Sequence, residues 1–279
     1  MGQFWGLSIN DDALVSCAVQ KHVSRISMCT VDTGSFGLGY YSRGELLQRV
    51  EPRCQGEPLD VLRMVENTRA DLVIMHARSQ GGTAPAKRED IHPFRFKEWL
   101  FAHNGKIEGF FEIKDKLLDA IPSFIRRNIK GETDSELVFH LFLSFLYDAG
   151  DLSRPEADIA AVGDALVRTF ATVDEFAHIQ NKPISNASVI VSDGYSMVVG
   201  SRGIPVDYAV IDGMADCDRC RTSVRPGDTN APQVDHEDVK AVLVCSCETG
   251  ADTSCYTKLD DNTVLLVSKN QEIATRVFG

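Results

Sequence analysis

The residues of this chain best suited to chemistry fall in a few short runs. Two are rich in sulfur: Cys217-Asp218-Arg219-Cys220, and Cys245-Ser246-Cys247 with Cys255 a little further on. A CxxC and a CxC together could offer four thiolates to a tetrahedral zinc ion. Cys245 and Cys247 close the strand-like run that starts at Ala241, where alternate residues share a face, so the same pair could equally point into a core. Cys17, Cys29 and Cys54 stand singly among apolar residues, the usual setting of a small buried thiol. Reduced structural cysteines are the leading reading, with zinc and a redox pair as minor alternatives. The other runs carry nitrogen and oxygen: His76-Ala77-Arg78-Ser79-Gln80-Gly81-Gly82, Phe101-Ala102-His103-Asn104-Gly105, and Gly131-Glu132-Thr133-Asp134-Ser135-Glu136. Each has an ordinary use taken alone. An arginine after a strand is a surface charge, Asn-Gly forms a turn, and Thr-Asp-Ser-Glu caps a helix, with Asp134 favouring the dipole of its first turn.

The elements that must position these groups are legible from period. Residues 2–9 read as a strand carrying Phe4, Trp5, Leu7 and Ile9. Residues 35–41 and 44–50 read as successive strands joined by a Ser-Arg-Gly turn. Leu59 to Asn67 has helical spacing, and the compact apolar run 71–76 is a buried strand. Residues 99–103 form another strand, stopped by Asn104-Gly105. From Phe110 to Asn128 the pattern is helical, broken at Pro122. Thr133 and Glu136 then form a capping box for a helix with Leu137, His140, Leu141, Ser144 and Phe145 at helical intervals. A second long helix runs from near Pro155 to about Ile179. Strands return at 188–192 and 196–201 around an Asp193-Gly194 turn, and again at 206–211, 240–247 and 263–268. Arg221 to Asp238, with Pro226, Gly227 and Pro232, reads as a long surface loop. Strands, then helices, then strands imply two sheets enclosed by helices.

Bulk properties narrow the function. A chain of 279 residues can bury a sizeable core as one large domain, and its length also allows two small ones. A net charge of -11 lacks the basic footprint of a protein that tracks phosphates, so no nucleic-acid partner is expected. No apolar run approaches the roughly 20 residues that span a bilayer, and the N-terminus lacks the pattern of a signal peptide. Met1-Gly2 invites a myristoylation reading, but Gly6 stands where that pattern wants Ser or Thr. The expectation is a cytoplasmic protein with no membrane partner.

In their order and spacing, the opening Met1-Gly2-Gln3-Phe4-Trp5-Gly6-Leu7-Ser8, His76–Gly82, the run from Phe101 to Ile107 and Gly131–Glu136 resemble the class II glutamine amidotransferases. These are N-terminal-nucleophile (Ntn) hydrolases that release ammonia from glutamine, and the likeness is strongest to short stand-alone members beginning Met-Cys-x-x-x-Gly. The resemblance implies an α+β fold, a four-layer αββα sandwich formed by one domain over residues 1–279. It implies that Arg78 clamps the α-carboxylate of glutamine, for which a planar guanidinium is suited, and that Asp134 holds its α-ammonium. It implies that Asn104 and Gly105 form an oxyanion hole, an amide and a backbone N–H meeting the developing charge. His76 and His103 brace strands in this reading, and His92-Pro93-Phe94 matches a structural segment.

The resemblance also places Gly2 where the family carries its nucleophilic cysteine, whose own α-amine, titrating near pH 8, serves as base. Two further departures are Ser79-Gln80 after the arginine and Gly34-Ser35 before Phe36-Gly37. The expected function is therefore an amidotransferase-like pseudoenzyme that binds glutamine, a γ-glutamyl compound or a partner protein. The alternatives are an active-family enzyme captured as a Cys-to-Gly variant, or a structural subunit with a vestigial pocket. No cofactor and no metal are expected.

Overall fold

The computed structural model describes residues 2–28, 33–52, 59–79, 86–214, 217, 219–220, 236–246 and 255–278. Strand β1 (Gly2–Ile9) leads through a short 3-10 turn into helices α1 (Val15–Lys21) and α2 (Val23–Met28). Strands β2 (Thr33–Ser42) and β3 (Glu45–Pro52) precede α3 (Val61–Val65), β4 (Leu72–Ser79), β5 (Phe94–Phe96) and β6 (Trp99–Gly105). Four helices follow: α4 (Phe110–Ala120), α5 (Ser123–Arg126), α6 (Asp134–Asp148) and α7 (Ile159–Ile179). The remaining strands are β7 (Ala187–Ser192), β8 (Met197–Arg202), β9 (Asp207–Asp212), β10 (Lys240–Cys245), β11 (Thr257–Lys258), β12 (Thr263–Val267) and β13 (Ile273–Val277).

The strands pair into two antiparallel sheets. One has the order β11-β9-β10-β1-β4-β2-β3, the other β13-β12-β8-β7-β6-β5. Because strand side chains alternate, each sheet has two faces to bury. Trp5, Leu7 and Ile9 of β1 pack outward with Leu14, Val15 and Ala18 near α1 and with Val61 and Val65 of α3. Phe4 faces the opposite way and packs with Leu100 and Ala102 of β6 and Ile190 of β7, forming the layer between the sheets. Phe101 of β6 looks outward again, against Phe139 and Phe142 of α6, where α4 and α7 also pack. The result is the four-layer αββα order that the resemblance implied. The sheets approach closely at Gly6, where a Cβ would lie 2.3 Å from the Ile190 side chain; only glycine fits without movement.

Several elements differ from their sequence-based expectations for local reasons. Asn104 and Gly105 do not stop the strand: both belong to β6 and pair with Ser188 and Ala187. Gly105 does so at φ +134°, and a Cβ there would sit 2.4 Å from the Asn186 carbonyl oxygen. The cap of α6 is one-sided. The Thr133 hydroxyl accepts from the Glu136 N–H at 3.2 Å, but the Glu136 carboxylate reaches past the cap to the N–H groups of Lys130 and Gly131, at 2.8 and 2.6 Å. The expected hairpin of β2 and β3 forms, with Arg43 and Gly44 both at positive φ in its turn. Most of the expected loop from Arg221 to Asp238 lies outside the described residues.

Candidate functional site

β1 and β4 run antiparallel with Gly2 opposite Arg78 and Phe4 opposite His76. Opposed residues share a face, so this register gathers Gly2, Arg78 and His76 on the side of the sheet that meets its partner. The end of β6 and the start of α6 complete the enclosure. A cavity of about 710 Å³ opens there, and Gly2, Arg78, Gly105 and Asp134 all line it, as do His76 and His103. That volume suits a small molecule. Asn104 is not among the residues that line the cavity: it is buried on the inter-sheet face of β6 that carries Leu100 and Ala102, and its Oδ1 has no hydrogen-bond partner among the described residues.

Asp134 is held before any ligand arrives. Its Oδ2 accepts from the Ile107 N–H at 2.8 Å and its Oδ1 from the Ser135 N–H at 2.8 Å. Oδ1 also accepts from the Ser135 hydroxyl at 3.3 Å, while Oδ2 keeps a second acceptor site, so an ammonium can still be received. Ser135, whose role was not anticipated, connects this acid to His103 through a 2.8 Å contact between its Oγ and His103 Nδ1. Arg78 is exposed at the cavity and makes no ion pair among the described residues, which leaves its guanidinium available to a carboxylate.

The wall around Gly2 has the opposite character. A Cβ on Gly2 would lie 2.4 Å from Nε2 of His76, so any side chain there requires that ring to move. His76 is buried and packs against His92 with ring centroids 4.2 Å apart, and His92 packs against Phe94 at 4.4 Å. Nε2 of His76, Nδ1 of His92 and Nε2 of His103 have no hydrogen-bond partner among the described residues. Burial, helped by the nearby His103 and Arg78, pushes His76 down to about 3. Burial likewise drives His92 well below the ordinary imidazole range, and it lowers His103 despite the opposing pull of Asp134. All three rings are therefore neutral near pH 7.

The sulfur-rich runs do not assemble as CxxC plus CxC. Cys245 is disulfide-bonded, which removes it from any thiolate set, and Cys247 lies outside the described residues together with Cys29 and Cys54. Cys217 and Cys220 instead stand beside Cys17 of α1 and His236. Sequence spacing gave no signal for either of those partners, because Cys17 reads as a core thiol and His236 as part of a loop.

Two antiparallel sheets face to face between helices, with the first strand's terminus in a cavity at their edge, define the Ntn-type amidotransferase architecture. The chain belongs to the class-II glutamine amidotransferases, whose family model matches residues 1–199. It is 27% identical over 251 residues to the "Probable glutamine amidotransferase DUG3" of Saccharomyces cerevisiae, covering 84% of this chain and 69% of that protein. Among solved structures, a glutamine aminotransferase class-II domain protein from Silicibacter pomeroyi superposes with a TM-score of 0.60 at 19% identity, covering 99% of each chain. A predicted glutamine amidotransferase from Pseudomonas aeruginosa gives a TM-score of 0.55 at 17% identity, covering 97% of this chain and 98% of the other. Among the described residues no helix is long and apolar enough to cross a membrane.

Proposed function

We propose that this chain is an amidotransferase-fold protein that retains the amino-acid clamp of its family and has lost the hydrolytic step. The observation that carries this reading is the composition of one cavity wall, where Gly2 offers no side chain while Arg78 and Asp134 remain in place. Hydrolysis of a glutamine amide through a covalent acyl intermediate needs a thiol or hydroxyl at the attacking position, and glycine supplies neither. Arg78 would take the α-carboxylate of glutamine or a γ-glutamyl compound, Asp134 its α-ammonium, and residues 1–279 would act as a single binding domain. The conformation of Gly105 and the buried amide of Asn104 are the remnants of an oxyanion site in this reading. The packing of His76 against His92 supports long-standing loss over one isolated cysteine replacement, since a side chain at position 2 now requires His76 to move.

The test pairs hydrolysis with binding in the full chain. Glutamate and ammonia release from glutamine should not exceed a buffer blank. Calorimetry with millimolar glutamine, glutamate or a γ-glutamyl peptide should show binding that Arg78→Ala abolishes. Hydrolysis that disappears in Ser135→Ala would overturn the proposal, because Ser135 and His103 would then be an unrecognised nucleophile and base. Failure of all three ligands to bind would pass the reading to a structural subunit or to a protein partner.

A further inference from the structure

The geometry points to a structural zinc site formed by Cys17, Cys217, Cys220 and His236, which pins α1 to the connection between β9 and β10. One ligand-type atom from each of the four residues lies within 4.8 Å of all the others. Cys17 Sγ is 3.7 Å from Cys220 Sγ, and Cys220 Sγ is 3.5 Å from His236 Nε2. These are the edges of a zinc tetrahedron: bonds of about 2.3 Å to sulfur and 2.05 Å to nitrogen, at the tetrahedral angle, give edges of about 3.8 Å between sulfurs and about 3.6 Å from sulfur to nitrogen. A disulfide would need the sulfurs near 2.05 Å, and all three cysteines are free thiols. Three thiolates and one imidazole are the ligands of a closed, four-coordinate structural site.

The placement of the four residues explains what such a site would do. Cys17 is a buried residue of α1, which packs on the outer face of the first sheet. After β9 the chain stays paired with its own return: the Gly213 N–H donates to the Val239 carbonyl at 2.8 Å and the Met214 N–H to the His236 carbonyl at 2.8 Å. Cys217 and Cys220 follow just beyond that pairing, while His236 enters it from the other side. Fifteen residues, 221–235, separate Cys220 from His236, so a metal would close that excursion at its base and tie it to a helix some 200 residues earlier in sequence. Closing a long loop stabilises chiefly by removing freedom from the unfolded chain. Cys217, Cys220 and His236 lie beyond the residues matched by the family model, which end at 199, and the site stands independently of the proposed glutamine clamp.

The experiment uses the full chain, expressed with zinc available and purified with a metal-free reductant. Elemental analysis should find about one zinc per chain. Removal of the metal with a chelator, followed by cobalt(II) titration, should give the thiolate-to-metal charge-transfer band and the intense visible d–d bands of a tetrahedral sulfur-rich site, saturating at one equivalent. Cys217→Ser/Cys220→Ser should lose the metal, and Cys255→Ser, a change at an exposed thiol outside the set, should retain it. His236→Cys keeps four ligands and should retain cobalt with a red-shifted, more intense thiolate signature, which separates ligation from mere folding should the double serine variant fail to fold. Absence of zinc together with a flat cobalt titration would overturn the inference. So would full metal retention in Cys217→Ser/Cys220→Ser, or a disulfide among Cys17, Cys217 and Cys220 in the freshly purified protein.

Discussion

Gly2 and Asp134 line the same cavity, yet they are held in contrasting ways. Around Gly2 the wall consists of buried imidazoles whose outward nitrogens find no partner among the described residues, and the space a side chain would enter is taken by the His76 ring. Around Asp134 every nearby donor converges: the Ile107 and Ser135 N–H groups fix the carboxylate, and the Thr133 cap fixes the helix that carries it. On the proposed reading, the difference is why hydrolysis can be lost without loss of the binding groups. The register of β1 and β4 is set by backbone pairing, so Arg78 stays opposite position 2 whatever side chain stands there. The proposed clamp residues, Arg78 and Asp134, belong to the strand register and helix cap that the fold needs in any case.

The largest effect that would break this contrast is catalytic. Loss of a covalent nucleophile typically costs several orders of magnitude in turnover, so wild-type glutaminase activity should be indistinguishable from a blank in a coupled glutamate assay. Gly2→Cys should recover only part of an ordinary turnover of roughly 1–1000 per second, because His76 must be displaced and a misplacement of about 1 Å can cost roughly a hundredfold. Full recovery in that variant would show the nucleophile end to be as intact as the clamp.

A smaller effect sharpens the clamp itself. Glutamine at 100 times its dissociation constant should add about 2.7 kcal/mol to folding stability, seen as a thermal shift of a few degrees. Arg78→Ala should remove the shift, and Asp134→Asn should reduce it through the lost charge opposite the ammonium. Arg78→Lys should give an intermediate value, since an ammonium cannot reproduce the planar fork. Equal shifts in the wild type and Arg78→Ala would place the ligand elsewhere.

Acid titration probes the imidazole end. His76 has a folded-state value of about 3, depressed by burial from an ordinary 6.5, so the unfolded chain binds a proton that the native chain refuses. Stability contributed by the neutral ring is present above about pH 6.5 and is lost as pH falls toward 3. The limiting slope is about 1.4 kcal/mol per pH unit for one such group. Urea midpoints measured at pH 7, 5.5 and 4 should fall accordingly, and His76→Gln should flatten that dependence. An unchanged slope in His76→Gln would mean that the ring is hydrated and the nucleophile end is open.

Much of the fold was legible along the chain because its elements are strongly periodic. β1 begins and ends as its alternating apolar residues indicate, and α7 follows a single apolar stripe. The elements that escaped detection are short or weakly patterned: α1 and α2 are seven and six residues long, β5 only three, and β13 is exposed along its whole length. Arg78, Asp134 and Gly105 were recognisable in the candidate site because each sits in a motif with its own local geometry. Ser135 was not, since its contact to His103 depends on how α6 packs over β6.

Period by itself determined the succession of strands, helices and strands, because strand alternation, helix capping and turn chemistry are local properties of sequence. The order and spacing of the motifs carried the family resemblance and, through it, the expectation of αββα layering. The tertiary structure alone decided which polar groups meet across distance. It set His76 against Gly2 and brought Cys17 within 3.7 Å of Cys220 from 203 residues away. Such contacts follow from the register of pairing between strands and the packing of helices onto sheets, and no period within a single segment encodes them.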